Sequence, residues 1–186
     1  MMNSSALRSW LTSIFDSTNI IYMEKTLKDI KTVEWDGRRR QLILVDQRVI
    51  PSRLVYIRCR THKQAADAIR KMVVRGAPAI GVTAAFGMAL AALNSRASTR
   101  EKLLEDLASA KRELASTRPT AVNLFWALER VFKVAEKSDA DLEDIRKSVL
   151  SEALRMAEED VKTNMTMGRL GATLIQDGDK VLTHCN

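Results

Sequence analysis

From Gly76 to Ser95 the chain carries no charged side chain, although Asp, Glu, Lys and Arg make up 28% of its residues. A run of that length is close to the ~20 apolar residues that cross a bilayer. Its composition argues otherwise. Ala77–Leu93 is mostly Ala and Gly with Thr83 inside, which suits a tightly packed buried helix rather than a lipid-facing one. A soluble fold with such a helix must wrap its other elements around it. The mouth of the run reads Arg75-Gly76-Ala77-Pro78-Ala79-Ile80-Gly81. Gly76 admits backbone angles closed to other residues. Pro78 fits a first helical turn, where a missing N–H is no loss. Unpaired N–H groups and the positive end of the helix dipole favour an anion there. Arg75 adds a planar charged fork that matches phosphate. Two readings stay open: a phosphate or carboxylate site, or a tight turn into a buried helix with Arg75 snorkelling to water.

The segments around this helix predict an α/β chain, a small antiparallel sheet followed by a mainly helical domain. Thr32–Trp35 and Gln41–Val45 are β-branched or apolar runs joined across Asp36-Gly37, a hairpin signal with a connection longer than two residues. Leu54–Cys59 follows Pro51 as a third strand. Thr61 is placed to cap a helix in which Ala65, Ile69, Met72 and Val73 recur at helical spacing. Thr99 caps another, with Leu103, Leu104, Leu107 and Leu114 as its stripe. Pro119 interrupts it, because the residue before proline avoids the α region. Ala121–Ala135 resumes with Leu124, Leu128 and Val131 on one face. Asp141–Gln176 is mainly helical, with Gly168 and Gly171 as candidate breaks. Asp177-Gly178-Asp179 is a turn, and Lys180–Cys185 reads as a new strand. A lone strand cannot satisfy its own edges, so 177–186 is expected to open a second domain. Residues 1–22 read as a loose extension before a first patterned domain over 23–176.

The net charge is +7, but basic residues are dispersed among acidic ones, and the only dense run is Arg38-Arg39-Arg40. Aromatics at 5% without basic interleaving argue against a nucleic-acid surface. An anionic small substrate is compatible with the charge. The two cysteines make no disulfide framework, so a reducing, cytoplasmic setting is the expectation. No signal-peptide pattern or membrane anchor is expected.

Cys185 stands at the carboxyl end of the last expected strand, where ligands gather in open α/β sheets. His184 is adjacent, but neighbouring strand side chains point to opposite faces, so the pair is no evidence for a Cys–His dyad. The alternative for Cys185 is a small buried hydrophobe. Arg118, before Pro119, sits at an expected helix start. It either closes on an anion held by Arg75 or pairs with a carboxylate. Asp46-Gln47-Arg48 is either a structural ion pair or a pocket wall, and His62 is expected to face solvent. No set of residues has metal-ligand spacing, and no P-loop is present. Neither a metal nor a cofactor is expected.

Five segments occur in order: Thr32–Trp35, Asp46–Arg48, Met72–Gly81, Thr117–Leu124 and Leu182–Asn186. Together they resemble the amino-terminal half of the 5-methylthioribose-1-phosphate isomerase family. That family is grouped with ribose-1,5-bisphosphate isomerase and with the regulatory subunits of the exchange factor for eukaryotic initiation factor two. The resemblance implies a Rossmann-like domain beginning with Lys180–Cys185, and a homodimer in the complete protein. It also implies aldose–ketose isomerisation of a sugar 1-phosphate in methionine salvage. Arg75, Gly76, Ala77 and Arg118 would then bind the substrate and Cys185 would be catalytic. The family's acid/base aspartate falls beyond Asn186. A truncated or split chain, inactive alone and completed by a separate carboxyl-terminal chain, is the corresponding expectation. Ribose-1,5-bisphosphate isomerase and a non-catalytic regulatory subunit are the alternatives.

Overall fold

The computed structural model describes residues 30–182. The expected extension 1–22 and the Thr183–Asn186 end, with His184 and Cys185, lie outside the described residues. One compact unit runs Thr32–Val161, and the described residues from Lys162 onward belong to a second.

Three strands open the compact unit: β1 (Val33–Asp36), β2 (Gln41–Val45) and β3 (Tyr56–Cys59). They form one antiparallel sheet in the order β1-β2-β3. The hairpin register pairs Asp36 with Gln41 and Val33 with Leu44. Asp36 closes the turn by accepting the Arg39 backbone N–H at 3.1 Å, and Arg40 takes a positive φ of 50°. In β2 Gln41, Leu42 and Leu44 are fully buried and Val45 almost so. The near-continuous apolar run thus marks a central strand, covered more completely than a half-exposed one.

Helix α1 (His62–Arg70) starts with a capping box. The Thr61 hydroxyl accepts the Gln64 N–H and the Gln64 amide oxygen accepts the Thr61 N–H, each at 3.3 Å. The expected continuation through Met72 and Val73 does not occur. The helix closes in a Schellman motif: the Met72 N–H donates to Ile69 O and the Val73 N–H to Ala68 O. Met72 occupies the left-handed position at φ 57° and is exposed, whereas Val73 and Val74 turn inward. That position is usually glycine, so the stop carries no signal in the sequence.

Helix α2 (Ala77–Asn94) is the uncharged run, and every residue from Ile80 to Ala92 is buried. It is the one described helix long and apolar enough to cross a membrane, and 72% of it is buried inside the fold. It touches α1, the first two strands, α3 (Arg100–Ala115) and α4 (Val122–Glu136). The sheet meets it where the Trp35 and Phe86 rings stack with centroids 5.5 Å apart and planes 4° from parallel. Thr99 caps α3 by accepting the Lys102 N–H, and Leu103, Leu107 and Leu114 face the core.

Helix α5 (Leu142–Ala172) starts on Asp141, whose carboxylate accepts the Asp144 N–H at 2.9 Å. It passes Gly168 unbroken and ends one residue after Gly171. A glycine costs a helix only about 1 kcal/mol, too little by itself to end one. Within the compact unit, Arg130 of α4 donates to Glu152 at 2.5 Å and to Glu159 at 2.6 Å on α5. Asp177-Gly178 forms the expected turn, with Gly178 at φ 90°. Of the expected strand at 180–185, residues 180–182 are in no strand. A strand is defined by a ladder partner, and none of the described strands pairs with them.

Candidate functional site

The two ends of α2 are treated differently. At the carboxyl end, arginines from elsewhere cover the last carbonyls. Arg40 donates to Leu93 O, and Arg146 donates to Ala92 O at 3.3 Å, Ser95 O at 3.4 Å and Ala97 O at 2.9 Å. Cations at a helix carboxyl end complement the dipole. Neither arginine is singled out by sequence, because the partners lie some fifty residues away along the chain and a backbone carbonyl has no residue signature.

The amino end is open. Gly76 caps it with φ 90° and ψ 130°, and among the described residues no side chain caps the first-turn N–H groups. A positive φ of this kind belongs to glycine. Gly76, Ala77 and Pro78 are exposed. Arg75 precedes them, half-buried, and its Nε is a buried donor with no acceptor among the described residues. An orphaned buried donor costs about 1–3 kcal/mol. A cation at the positive end of a helix is also unfavourable. Both costs vanish if an anion occupies the place.

A second open helix start lies beside it. A β-carbon on Gly81 would stand 3.1 Å from the Asn123 carbonyl oxygen and 3.5 Å from the Ala127 β-carbon. The backbones of α2 and α4 therefore touch within their first two turns. Ala121, at the start of α4, provides no side-chain cap. By contrast α1, α3 and α5 all start on a side-chain cap. Arg118 stands in the loop before α4, half-buried, and its carbonyl accepts the Ala121 N–H at 3.1 Å. Thr117 anchors this loop from the core side through its hydroxyl, which donates to Leu114 O. The expected carboxylate partner for Arg118 is absent among the described residues.

The remaining candidates resolve differently. Asp46 and Arg48 form an ion pair, with Nε–H donating to Oδ1 at 2.8 Å and Nη2 to Oδ2 at 2.7 Å. The guanidinium holds the Asp46 carboxyl below its ordinary range. His62 does not simply face solvent. It opens α1 with its Nε2 3.3 Å from Glu113 Oε2 of α3. Burial pushes the Cys59 thiol up to about 11, which makes it an inert core residue. Cys185 lies outside the described residues. Among the described residues no three His, Cys, Asp or Glu are grouped to hold a metal.

The sequence profile of the initiation factor 2 subunit family matches residues 73–186, a span that includes both open helix starts. The chain belongs to that family. Within it, the chain is 50% identical over 155 residues to the methylthioribose-1-phosphate isomerase of Thermosipho melanesiensis, covering 83% of this chain and 44% of that protein. The enzyme of the same name from Thermotoga maritima is 48% identical over 156 residues, with 84% and 44% covered. Among solved structures, 5-methylthioribose 1-phosphate isomerase from Pyrococcus horikoshii matches with a TM-score of 0.75 at 42% identity, over 80% of this chain and 41% of that one. The translation initiation factor eIF-2B subunit delta from A. fulgidus matches with a TM-score of 0.75 at 45% identity, over 84% and 45%. The chain thus spans less than half the length of these family members. Its sheet-plus-helices architecture is the one that the family shares over this region.

Proposed function

We propose that this chain provides the phosphate-holding part of a methylthioribose-1-phosphate isomerase. The observation that carries the reading is the open amino end of α2, where a buried Arg75 Nε without a partner among the described residues precedes a helix start with no side-chain cap among them. Identities of 46–50% to proteins named for that reaction support the choice of substrate. In this reading Arg75, the N–H groups of the Gly76-Ala77 turn and Arg118 grip the 1-phosphate. Holding the phosphate orients C1 and C2 for reaction. A sugar phosphorylated at its anomeric carbon cannot open as a free aldose does, so ring opening needs assistance before hydrogen moves from C2 to C1. Cys185 serves as the catalytic thiol, either transferring a proton or stabilising the transition state. The acid/base aspartate belongs to the family region beyond residue 186.

The same reading makes 177–186 the opening of a Rossmann-like domain. It places the reaction in the cytoplasm, in a homodimeric complete protein or one assembled with a separate carboxyl-terminal chain. It involves neither nucleic acid nor membrane. The test is a titration of the chain with 5-methylthioribose 1-phosphate, followed by turnover in an assembly carrying the rest of the family fold. Binding that disappears in Arg75→Ala, and turnover that disappears in Cys185→Ser, are the expected results. A folded assembly that neither binds nor converts the sugar phosphate would rule the reading out.

The likeness to an initiation factor subunit delta at 45% identity favours a second reading, a non-catalytic regulatory subunit. Capture of an initiation-factor subunit without any sugar-phosphate binding is the result that selects it.

A further inference from the structure

The Asp46-Gln47-Arg48 turn has no part in the proposed chemistry, yet it is tied to the segment that carries Arg75. The turn follows β2. The Asp46 N–H donates to Val55 O at 2.8 Å and the Gln47 N–H donates to Val73 O at 2.9 Å. Val73 lies two residues before Arg75, in a stretch that begins at the left-handed Met72. The Val73 N–H is taken by the end of α1 and its carbonyl by Gln47. The route from α1 to the open start of α2 is therefore fixed on one side by a helix end and on the other by this turn.

The turn is itself closed. The carboxylate of Asp46, a residue 4% exposed, accepts the backbone N–H of Arg48 at 3.1 Å as well as its guanidinium at 2.8 and 2.7 Å. Arg48 thereby folds back over the residue it follows by two. The ring so formed sets the direction of the Gln47 N–H between them. It also occupies both oxygens of the buried carboxylate, so that neither is left bare.

We propose that the Asp46–Arg48 ring is a positioning element for Arg75: it holds the Gln47 N–H on Val73 O and so keeps the guanidinium half-buried with its Nε unpartnered. The inference rests on the reading of the α2 amino end as a phosphate site. Asp46 and Arg48 touch no substrate in it. The orphaned Nε is tolerated because the backbone before it is pinned. With the pin loosened, Arg75 relaxes toward water, loses its orphan and meets phosphate less well prepared.

The probe is inorganic phosphate added to the full chain labelled with ¹⁵N-arginine. Arg48→Ala opens the ring at a side chain that is 41% exposed; Arg48→Gln is the second variant should the first fail to fold. The expected result is an Arg75 Nε–H signal that shifts toward solvent-exposed arginine and exchanges faster. Phosphate affinity should fall roughly tenfold, the low end of what losing outer support costs a bound group. Arg48→Lys should restore much of both; the thermal midpoint should fall in Arg48→Ala and Arg48→Gln, where the buried Asp46 carboxylate loses its guanidinium, and less so in Arg48→Lys. An unchanged Arg75 signal in a folded Arg48→Ala or Arg48→Gln chain overturns the proposal, whatever phosphate does. If Arg75→Ala leaves phosphate affinity untouched, the phosphate reading fails instead, and the Arg75 signal still reports on the pin.

Discussion

Gly81 and Asn123 are in backbone contact: a β-carbon on Gly81 would sit 3.1 Å from the Asn123 carbonyl oxygen. This contact lets α2 and α4 begin side by side, and it brings the Arg75 and Arg118 segments to helix starts that touch. A second glycine, Gly87, meets α3 instead, with a hypothetical β-carbon 3.0 Å from Leu114 Cδ2. The two neighbours differ in kind. One is rigid backbone; the other is the far end of a flexible side chain.

The substitutions Gly81→Ala and Gly87→Ala should therefore part company. Alanine gains about 1 kcal/mol of helix propensity at either place. At Gly81 the overlap with backbone outweighs it, at the ~1–3 kcal/mol typical of overpacking. At Gly87 the leucine gives way, and the variant should lie within about 1 kcal/mol of wild type, the size of the propensity gain itself. Urea midpoints of the two variants check this.

Phosphate should stabilise the chain through Arg75. At ten times its Kd a ligand adds about 1.4 kcal/mol to folding. A thermal midpoint that rises with phosphate in the wild type and stays put in Arg75→Ala is the expected pattern. Without phosphate, Arg75→Ala should be no less stable than wild type, because the orphaned Nε leaves with the side chain. Differential scanning measurements with and without phosphate separate the two effects.

Trp35 and Phe86 join the sheet to α2 by a stacked contact at 5.5 Å. Phe86 is 1% exposed, so Phe86→Ala should cost about 3–5 kcal/mol. Phe86→Leu should cost less and should leave the helical circular-dichroism signal intact. Chemical denaturation of both variants measures the difference.

Acid should act partly through Asp46. Its folded pKa is lowered from the ordinary 3.8, chiefly by hydrogen bonding from Arg48. A carboxyl whose folded pKa lies below its unfolded one stabilises fully above the unfolded value. That contribution is lost as pH falls through the folded value. Asp46→Asn removes this titration. Its thermal midpoint should therefore fall less than that of the wild type as pH drops from neutral to below 3.8.

Much of the fold was legible because its signals are local. The hairpin at Asp36-Gly37 and the caps at Thr61 and Thr99 emerged as read, and of the expected stripe Leu103, Leu107 and Leu114 are buried while Leu104 is only partly so. The uncharged run announced the central helix, and Arg75-Gly76-Ala77 announced its open start. What escaped depends on distance or on an unusual residue. Met72 ends α1 in a conformation that favours glycine. Arg40 and Arg146 seal the far end of α2 across long stretches of chain. The Gln47 bond to Val73 is made by backbone atoms, and any residue but proline presents the same donor. The arginine pair of the candidate site was legible as residues; the contact at Gly81 that brings their helices together was not.

The uncharged character of α2 also bears on protons. None of its eighteen residues from Ala77 to Asn94 can take up or release one between pH 4 and 9. The described groups at its open end are the Arg75 guanidinium and backbone N–H donors. Under the phosphate reading, α2 adds no titrating side chain of its own to the grip on the phosphate. The phosphate itself is then one source of pH dependence in binding. Affinity should rise as a phosphate monoester gains its second charge near pH ~6 and stay level above that. The helix thus responds to the ionisation of its guest without adding any of its own.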